Sequence, residues 1–416
     1  MNEDNESNLR KLFIESLASD NVFIIATTID TGFEWQAVDE CKEKLDKNVK
    51  IVKERGKIYF NVYWSQFAQV QEMRSIDNVY IVADVRKFEF SGNSKEADLQ
   101  LFKDAVHNDM KLEKALNTWK SITGFRGKIY PTTDEYNVAE KDRKLCNTTV
   151  TPITVKGRKR GQDPSDTKED EILRYRVTCE RTGKHTFGSA EVARAIGGEL
   201  QDKYLWLVDL STYYLEVVCK VIDNELITQL RITHESKHHR NIICFGPTTL
   251  RATVSYNLLR LAHPNPGDII IDPMCGSGSI PIEAALVYSQ SYIIGGDNHP
   301  KAVHNTKSNI EASSSKYMPF GKRSGRMIDN RILYKQFLIE LGRIMKPLKG
   351  RSVLLTYDRR SLSMALQAAG DLFYVTKTLS VNIGGLQAAV YVLKRTDIPY
   401  EQFKPKVIKR MMCKKK

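Results

Sequence analysis

The segment Asp272-Pro-Met-Cys-Gly-Ser-Gly-Ser-Ile-Pro-Ile-Glu283 constrains this chain more than any other. An apolar, β-branched run from Asp268 to Ile271 feeds it, and a helical apolar pattern from Ile280 to Val287 leaves it. A glycine-rich turn between a strand and a helix points backbone N–H groups at a ligand and lets the ligand approach the main chain where a Cβ would clash. A second strand, Tyr292-Ile-Ile-Gly-Gly296, then ends in Asp297. A carboxylate at the tip of the second strand is placed to accept hydrogen bonds from a ribose diol. Strand, glycine loop, helix, strand and acid together predict an α/β nucleoside-binding half-site. The plainer alternative is an ordinary strand-to-helix turn of some other α/β protein; agreement of loop, spacing and acid argues against it.

The turn lacks the GxGxxG spacing of a dinucleotide site. With its leading Asp-Pro and its Cys275-Gly-Ser-Gly278, it resembles motif I of Rossmann-fold methyltransferases that use S-adenosylmethionine. That resemblance assigns cofactor contacts to Asp272, Met274, Cys275, Gly276, Gly278, Asp297 and Asn298. Asp272 and the backbone of Gly276 and Gly278 would face the methionine end, and Asp297 the ribose.

A length of 416 residues predicts two or three domains. There is no apolar run of about 18 residues to span a membrane, and the acidic, polar start Met1 to Glu6 is unlike a signal peptide. The seven cysteines, at 41, 146, 179, 219, 244, 275 and 413, are odd in number and form no CxxC pair. Such usage fits reduced thiols and a cytoplasmic location, with a nuclear fraction, better than a disulfide framework or a metal site. The net charge of +13 points to a polyanionic partner, RNA or DNA first. Two basic runs hold much of the excess: seven Lys or Arg in Lys404 to Lys416, and four in Lys156 to Arg160. A solvated tail and linker would have the same composition.

Residues 1–136 read as a mixed α/β region with strands at 22–27, 49–52, 57–62 and 78–85. Residues 137–172 read as a polar linker. Residues 173–245 predict an α+β module: a strand at 173–179, a helix starting at Ser189 and stopped by Gly197-Gly198, then strands at 205–210, 214–221 and 225–231. The nucleotide-binding region follows over 246–398, and a basic tail over 399–416.

Arg176-Val-Thr-Cys-Glu-Arg-Thr-Gly183, Ala193-Arg-Ala-Ile-Gly-Gly198 and Asp223-Asn-Glu225 resemble a THUMP domain, an RNA-binding module. Arg240-Asn-Ile242 and Phe245-Gly-Pro-Thr-Thr-Leu-Arg251 resemble the joint between THUMP and methyltransferase domains. Thr31-Gly-Phe-Glu34 and Arg55-Gly-Lys-Ile-Tyr-Phe60 resemble the ferredoxin-like region that precedes them. The combination identifies the chain as similar to THUMP-domain tRNA guanosine N2-methyltransferases. The resemblance implies a ferredoxin-like region and a THUMP domain ahead of a Rossmann-fold methyltransferase domain. It also implies S-adenosylmethionine as donor, tRNA as substrate, no metal, and a small zinc-ribbon activator subunit as partner. Arg176, Arg181, Lys184, Arg194, Lys237 and Arg240 are candidates to grip RNA phosphates, since structured RNA is read largely through shape and backbone.

One part of the family pattern is broken. The family carries an Asp-Leu-Pro-Phe-Gly-like catalytic motif after the fourth strand of its cofactor-binding sheet, in which the Asp accepts a hydrogen bond from the guanine amine. Here the stretch is Tyr317-Met-Pro-Phe-Gly321, with Pro319 and Phe320 kept to shape the base-stacking wall and Tyr317 in place of the Asp. Only 20 positions separate Asp297 from Tyr317. A helix, a strand, another helix and a further strand need about 40 or more. His299 to Ser313 suffices for one helix, so two strands and a helix are missing, as an internal deletion such as exon skipping would leave. Downstream the pattern resumes with a helix at 332–346, a strand at 351–356, a helix at 361–368 and a closing hairpin at 372–393 around Gly384-Gly385. Two readings therefore stand: an RNA methyltransferase, or a non-catalytic RNA-binding form that has lost its catalytic motif. A DNA amino-methyltransferase is disfavoured by the THUMP-like residues.

Overall fold

The structure is a computed structural model that describes residues 7–149, 162–246, 249–313, 320–322, 330–369 and 371–403. The first half is built on α1 (Asn8–Ser16), β1 (Val22–Thr28), α2 (Glu34–Lys44), β2 (Ile51–Glu54), β3 (Lys57–Tyr63), α3 (Phe67–Glu72), β4 (Val79–Lys87), α4 (Lys95–Asp104), α5 (Glu113–Thr123) and α6 (Thr133–Thr149). There follow β5 (Arg174–Thr182), α7 (Ser189–Tyr204), β6 (Leu207–Val208), β7 (Leu215–Ile222) and β8 (Glu225–Arg231). The order β2-β3-β1-β4, antiparallel throughout, is that of a ferredoxin-like sheet.

The ferredoxin-like and THUMP-like regions, expected as units on either side of a linker, share one sheet. β4 pairs antiparallel with β8, which continues the sheet as β8-β7-β5-β6 to eight strands. One core runs beneath it, from Phe23, Ile25 and Phe60 through Trp119 to Tyr175, Trp206 and Leu215. The supposed linker opens with α6, and its far end is tied down by Gln162 N donating to Tyr213 O at 2.7 Å. Nor does α7 stop at Gly197-Gly198; it runs on to Tyr204. Gly197 lies where a Cβ would come within 3.5 Å of Val177, and its carbonyl accepts from the Tyr175 hydroxyl. These glycines permit close helix–sheet packing, which outweighs their poor helix propensity. The predicted cap Ser189 is the first helical residue; Gly188 caps, its N–H donating to Glu191 Oε2 at 2.8 Å.

The second half begins with α8 (Ala252–Ala262), β9 (Ile269–Asp272), α9 (Ser279–Val287), β10 (Tyr292–Asp297), α10 (Pro300–Ala312) and β11 (Phe320–Lys322). It continues with α11 (Asn330–Ile344), β12 (Arg351–Thr356), α12 (Arg359–Ala368), β13 (Phe373–Ile383) and β14 (Leu386–Arg395). Gly384 and Gly385, at φ +59° and +89°, make the β13–β14 turn in the left-handed region that glycine adopts most readily.

The sheet of this half is split. β9 and β10 pair in parallel, and three-residue β11 pairs with β10 on its far side, giving β11-β10-β9. β12, β14 and β13 form a separate antiparallel sheet. Among the described residues no strand joins β9 to β12, and the two do not pair with each other. Helix α8 bridges them instead: Leu258 and Leu261 pack in the main core with Val390 and Val392, while Leu259 packs with Ala284 and Ile293. Ile269, Ile271, Tyr292 and Ile294 share one face of β9–β10 in cross-strand register, and all four are exposed. A parallel sheet normally has both faces covered by helices. The bare face and the open seam lie where the two strands and helix absent from the sequence would pack.

Candidate functional site: a glycine loop stapled to the joint

The loop between β9 and α9 follows from its glycines. Gly276 and Gly278 both have left-handed φ, +57° and +86°, which a residue with a side chain adopts at a cost of roughly 1–2 kcal/mol. Their surroundings differ. A Cβ on Gly276 would meet nothing within 4 Å, whereas one on Gly278 would lie 2.5 Å from Thr306 Cγ2. Gly276 is therefore the glycine whose bare backbone faces open space. Gly278 is required because α10 packs against it.

Asp297 ends β10 beside this loop. Its Oδ2 accepts from Gly276 N at 3.0 Å and its Oδ1 from His299 N at 2.8 Å. Each carboxylate oxygen keeps a second lone pair for a hydroxyl. Asp272, at the tip of β9, accepts from Met274 N at 3.2 Å. Burial pushes its carboxyl up to about 6; the Met274 N–H opposes this, and the nearby Asp297 charge adds to it. A carboxylate held at such a cost is the kind of group that functional sites retain. Ser279 Oγ is buried with no hydrogen-bond partner among the described residues. Met274 is exposed, and Cys275 is buried with its Sγ 3.9 Å from Thr306 Oγ1. Burial raises the Cys275 thiol to about 11, so it stays protonated. An open glycine, an unpartnered buried hydroxyl and two carboxylates at adjacent strand tips fit a nucleoside with a charged amino-acid tail.

Sequence reasoning missed how this loop is held. Thr306 Oγ1 on α10 donates to Gly276 O at 2.8 Å. Asn309, fully buried on the same helix, donates to Ser277 O and Cys244 O and accepts from the N–H groups of Ile243 and Cys244. Ser277 Oγ accepts from Gly246 N at 3.0 Å and lies 3.0 Å from Thr249 Oγ1. The joint segment is thus stapled directly onto the glycine loop. The polar Asn305-Thr306 and Asn309, on a helix that buries them, are the sequence signal that could have revealed it.

The six candidate RNA contacts divide. Arg181, Lys184 and Arg194 are exposed. Arg176 is committed within the fold: it pairs with Glu216 Oε1 at 2.7 Å and lies 4.1 Å over the Tyr213 ring. Lys237 Nζ donates to the carbonyls of Val70, Gln71 and Met73, closing the end of α3, and burial lowers its ammonium to about 8. Arg240 pairs with Glu283 at 2.7 Å and donates to Arg74 O. Acid or carbonyl partners within the fold turn these last three toward structure. Tyr317 and Pro319 lie outside the described residues, as do both basic runs; Phe320 opens β11, paired with Gly295.

Residues 240–317 match the methyltransferase domain of the RMKL-like UPF0020 family, and the match ends where the strand count fails. A tRNA (guanine(6)-N(2))-methyltransferase THUMP3 of Bos taurus is 37% identical over 448 aligned positions, covering 89% of this chain and 88% of the relative. The chain belongs to this methyltransferase family. The human THUMP3 is 35% identical over 453 positions, covering 91% of this chain and 89% of the relative. Since 89% of 416 residues is about 370, nearly 80 of the 448 aligned positions have no counterpart in this family member. The same comparison with the human relative leaves about 75. The crystal structure of TrmN from Thermus thermophilus superposes with a TM-score of 0.66 at 20% identity, covering 90% of this chain and 99% of that one, which shows the shared fold.

Proposed function

We propose that this chain binds tRNA and S-adenosylmethionine as a tRNA guanine-N2 methyltransferase, acting in the cytoplasm with a nuclear fraction. The observation that carries the reading is the loop Asp272–Gly278, with open Gly276 and Asp297 beside it, stapled to the joint of an RNA-binding sheet. Asp297 and Asn298 would hold the ribose, and Asp272 and the Gly276 backbone the methionine end. The bound cofactor supplies a methyl group already activated on a sulfonium. The protein's part is therefore to align the acceptor and exclude water rather than to perform acid–base work. Arg181, Lys184 and Arg194 supply exposed cationic contacts for the RNA backbone. A small zinc-ribbon activator as partner belongs to this proposal, on the strength of the resemblance alone.

A second reading is favoured by the split sheet: in this 416-residue form the chain binds RNA without turnover. Guanine N2 is a weak nucleophile, because its lone pair is delocalised into the ring. A carboxylate that accepts from the amine raises its electron density; a phenol such as that of Tyr317 is not a carboxylate and does not supply that charge. Incubating the chain and the zinc-ribbon activator with labelled S-adenosylmethionine and unmodified tRNA, with calorimetry of S-adenosylhomocysteine in parallel, tests both. Binding with methylation at guanine N2 supports the first reading, and binding without it the second. Absence of cofactor binding would overturn the assignment of the site.

A further inference from the structure

Glu283 lies on α9, five residues beyond Gly278, and is 1% exposed. Its Oε1 accepts from Arg74 Nε at 2.6 Å and Arg240 Nη2 at 2.7 Å; its Oε2 accepts from Arg74 Nη2 and Asn241 Nδ2, each at 3.0 Å. Burial alone would raise its carboxyl, but the Arg74 hydrogen bonds and the Arg240 charge outweigh it and hold the group ionised, below its ordinary value. Arg74 comes from the first half of the chain, in the turn after α3. That turn is itself fixed by buried Glu40 on α2, which accepts from Arg74 N at 2.9 Å, from Ser75 N at 2.8 Å and from the Ser75 hydroxyl. Asn257 on α8 closes the circuit by donating to Ser75 O at 3.2 Å.

One carboxylate therefore gathers the ferredoxin-like region through Arg74, the joint through Arg240 and Asn241, and the helix that starts at the cofactor loop. Other ion pairs across the halves, Arg251–Asp30 and Arg260–Glu43, reach α8 and its N-cap rather than α9. We infer that Glu283 is a positioning residue that couples the RNA-binding sheet to the cofactor loop, so that occupancy of one is felt at the other. Arg74 and Arg240 both touch Oε1, so a neutral side chain here leaves two half-buried guanidiniums facing each other. Relief of their repulsion requires Arg74 or the joint to move, and the joint is stapled through Asn309 and Thr249 to Ser277. The inference rests on the proposed binding of tRNA and S-adenosylmethionine.

The test uses the full chain, its Glu283→Gln and Arg74→Lys variants, and the Glu283→Asp variant as charge-restoring control. S-adenosylhomocysteine affinity is measured by calorimetry with and without saturating tRNA, and amide exchange is followed over 272–279 and 73–76. Wild type is expected to show coupling of about tenfold, within the usual range for linked sites. In E283Q and R74K it should fall below about twofold, with cofactor affinity alone little changed, faster exchange in both segments, and partial recovery in E283D. A role confined to folding would lower stability and leave the ratio intact. Unchanged coupling and unchanged exchange in R74K overturn the inference even where E283Q fails to fold. Wild-type binding of both ligands without coupling also overturns it. Wild type that binds neither ligand refutes the proposed function; the exchange arm still decides whether Glu283 holds the two segments together.

Discussion

Reinsertion of the two strands and helix that the sequence lacks between Ser313 and Tyr317, with Asp at 317, should stabilise the second half and restore turnover; Tyr317→Asp alone should do neither. The bare face of β9–β10 sets the scale. Ile269, Ile271 and Ile294 remain 61%, 49% and 36% exposed, and full burial of an isoleucine contributes about 1.5–3 kcal/mol. Covering these three therefore gains about 2–4 kcal/mol. At about 2–4 °C per kcal/mol for a unit of this size, the transition of the second half should rise by about 4–16 °C. Turnover should gain two factors: alignment, which alone is worth about a hundredfold, and the carboxylate. Scanning calorimetry reads the first effect, and methylation of unmodified tRNA by labelled cofactor reads the second. Robust turnover by the unaltered chain, or a rescue by Tyr317→Asp alone, would refute the deletion argument.

Three further outcomes are expected. Asp272→Asn should stabilise the chain by about 1–2 kcal/mol above pH 6 while weakening S-adenosylhomocysteine binding. The raised folded pKa of Asp272, about 6, means its ionised form opposes folding; the cost is full above pH 6 and disappears below the unfolded value near 4, so the gain must vanish in denaturant titrations at pH 4. Gly276→Ala should cost cofactor affinity with a stability loss of about 1–2 kcal/mol, whereas Gly278→Val should also collapse the loop against Thr306, which paired calorimetry and thermal melts will separate. Neutralising Arg181, Lys184 and Arg194 together should weaken tRNA binding and flatten its salt dependence by up to about 0.7–0.9 in log–log slope for each phosphate no longer neutralised; neutralising Arg176 or Lys237 should instead lower thermal stability, and an unchanged salt slope in the triple variant would place the RNA elsewhere.

The local elements were legible because their signals are local. β12 falls at Arg351–Thr356 as its apolar run predicts, and β8 at Glu225–Arg231. The glycine loop and Asp297 lie together as their spacing required. The fusion of two regions into one sheet was not legible, because β4 and β8 lie over 130 residues apart and antiparallel pairing across such a distance leaves no periodic trace. The helical run through Gly197-Gly198 was missed for a related reason: tertiary contact with Val177 overrides propensity, and propensity is all that a sequence window reports. Charge misled in the same way. Arg176, Lys237 and Arg240 look like an RNA-facing stripe, yet each has found a buried acid or a set of carbonyls that composition alone could not show.

The contacts of Glu283 and Asn309 explain how the glycine loop stays ordered although no strand joins β9 to β12 among the described residues. In an intact doubly wound sheet the loop after the first strand is framed by its neighbours on both sides. Here β9 has a strand on one side only among the described residues, but the loop's own backbone is held from elsewhere: Gly276 by Asp297 and Thr306, Ser277 by Asn309 and Thr249, and α9 by Glu283. None of these bonds passes through the missing unit. The half-site that holds a nucleoside is therefore separable from the half that aligns a base. Loss of the second would leave the first folded against the eight-stranded sheet, so the non-catalytic reading predicts ligand binding without methyl transfer.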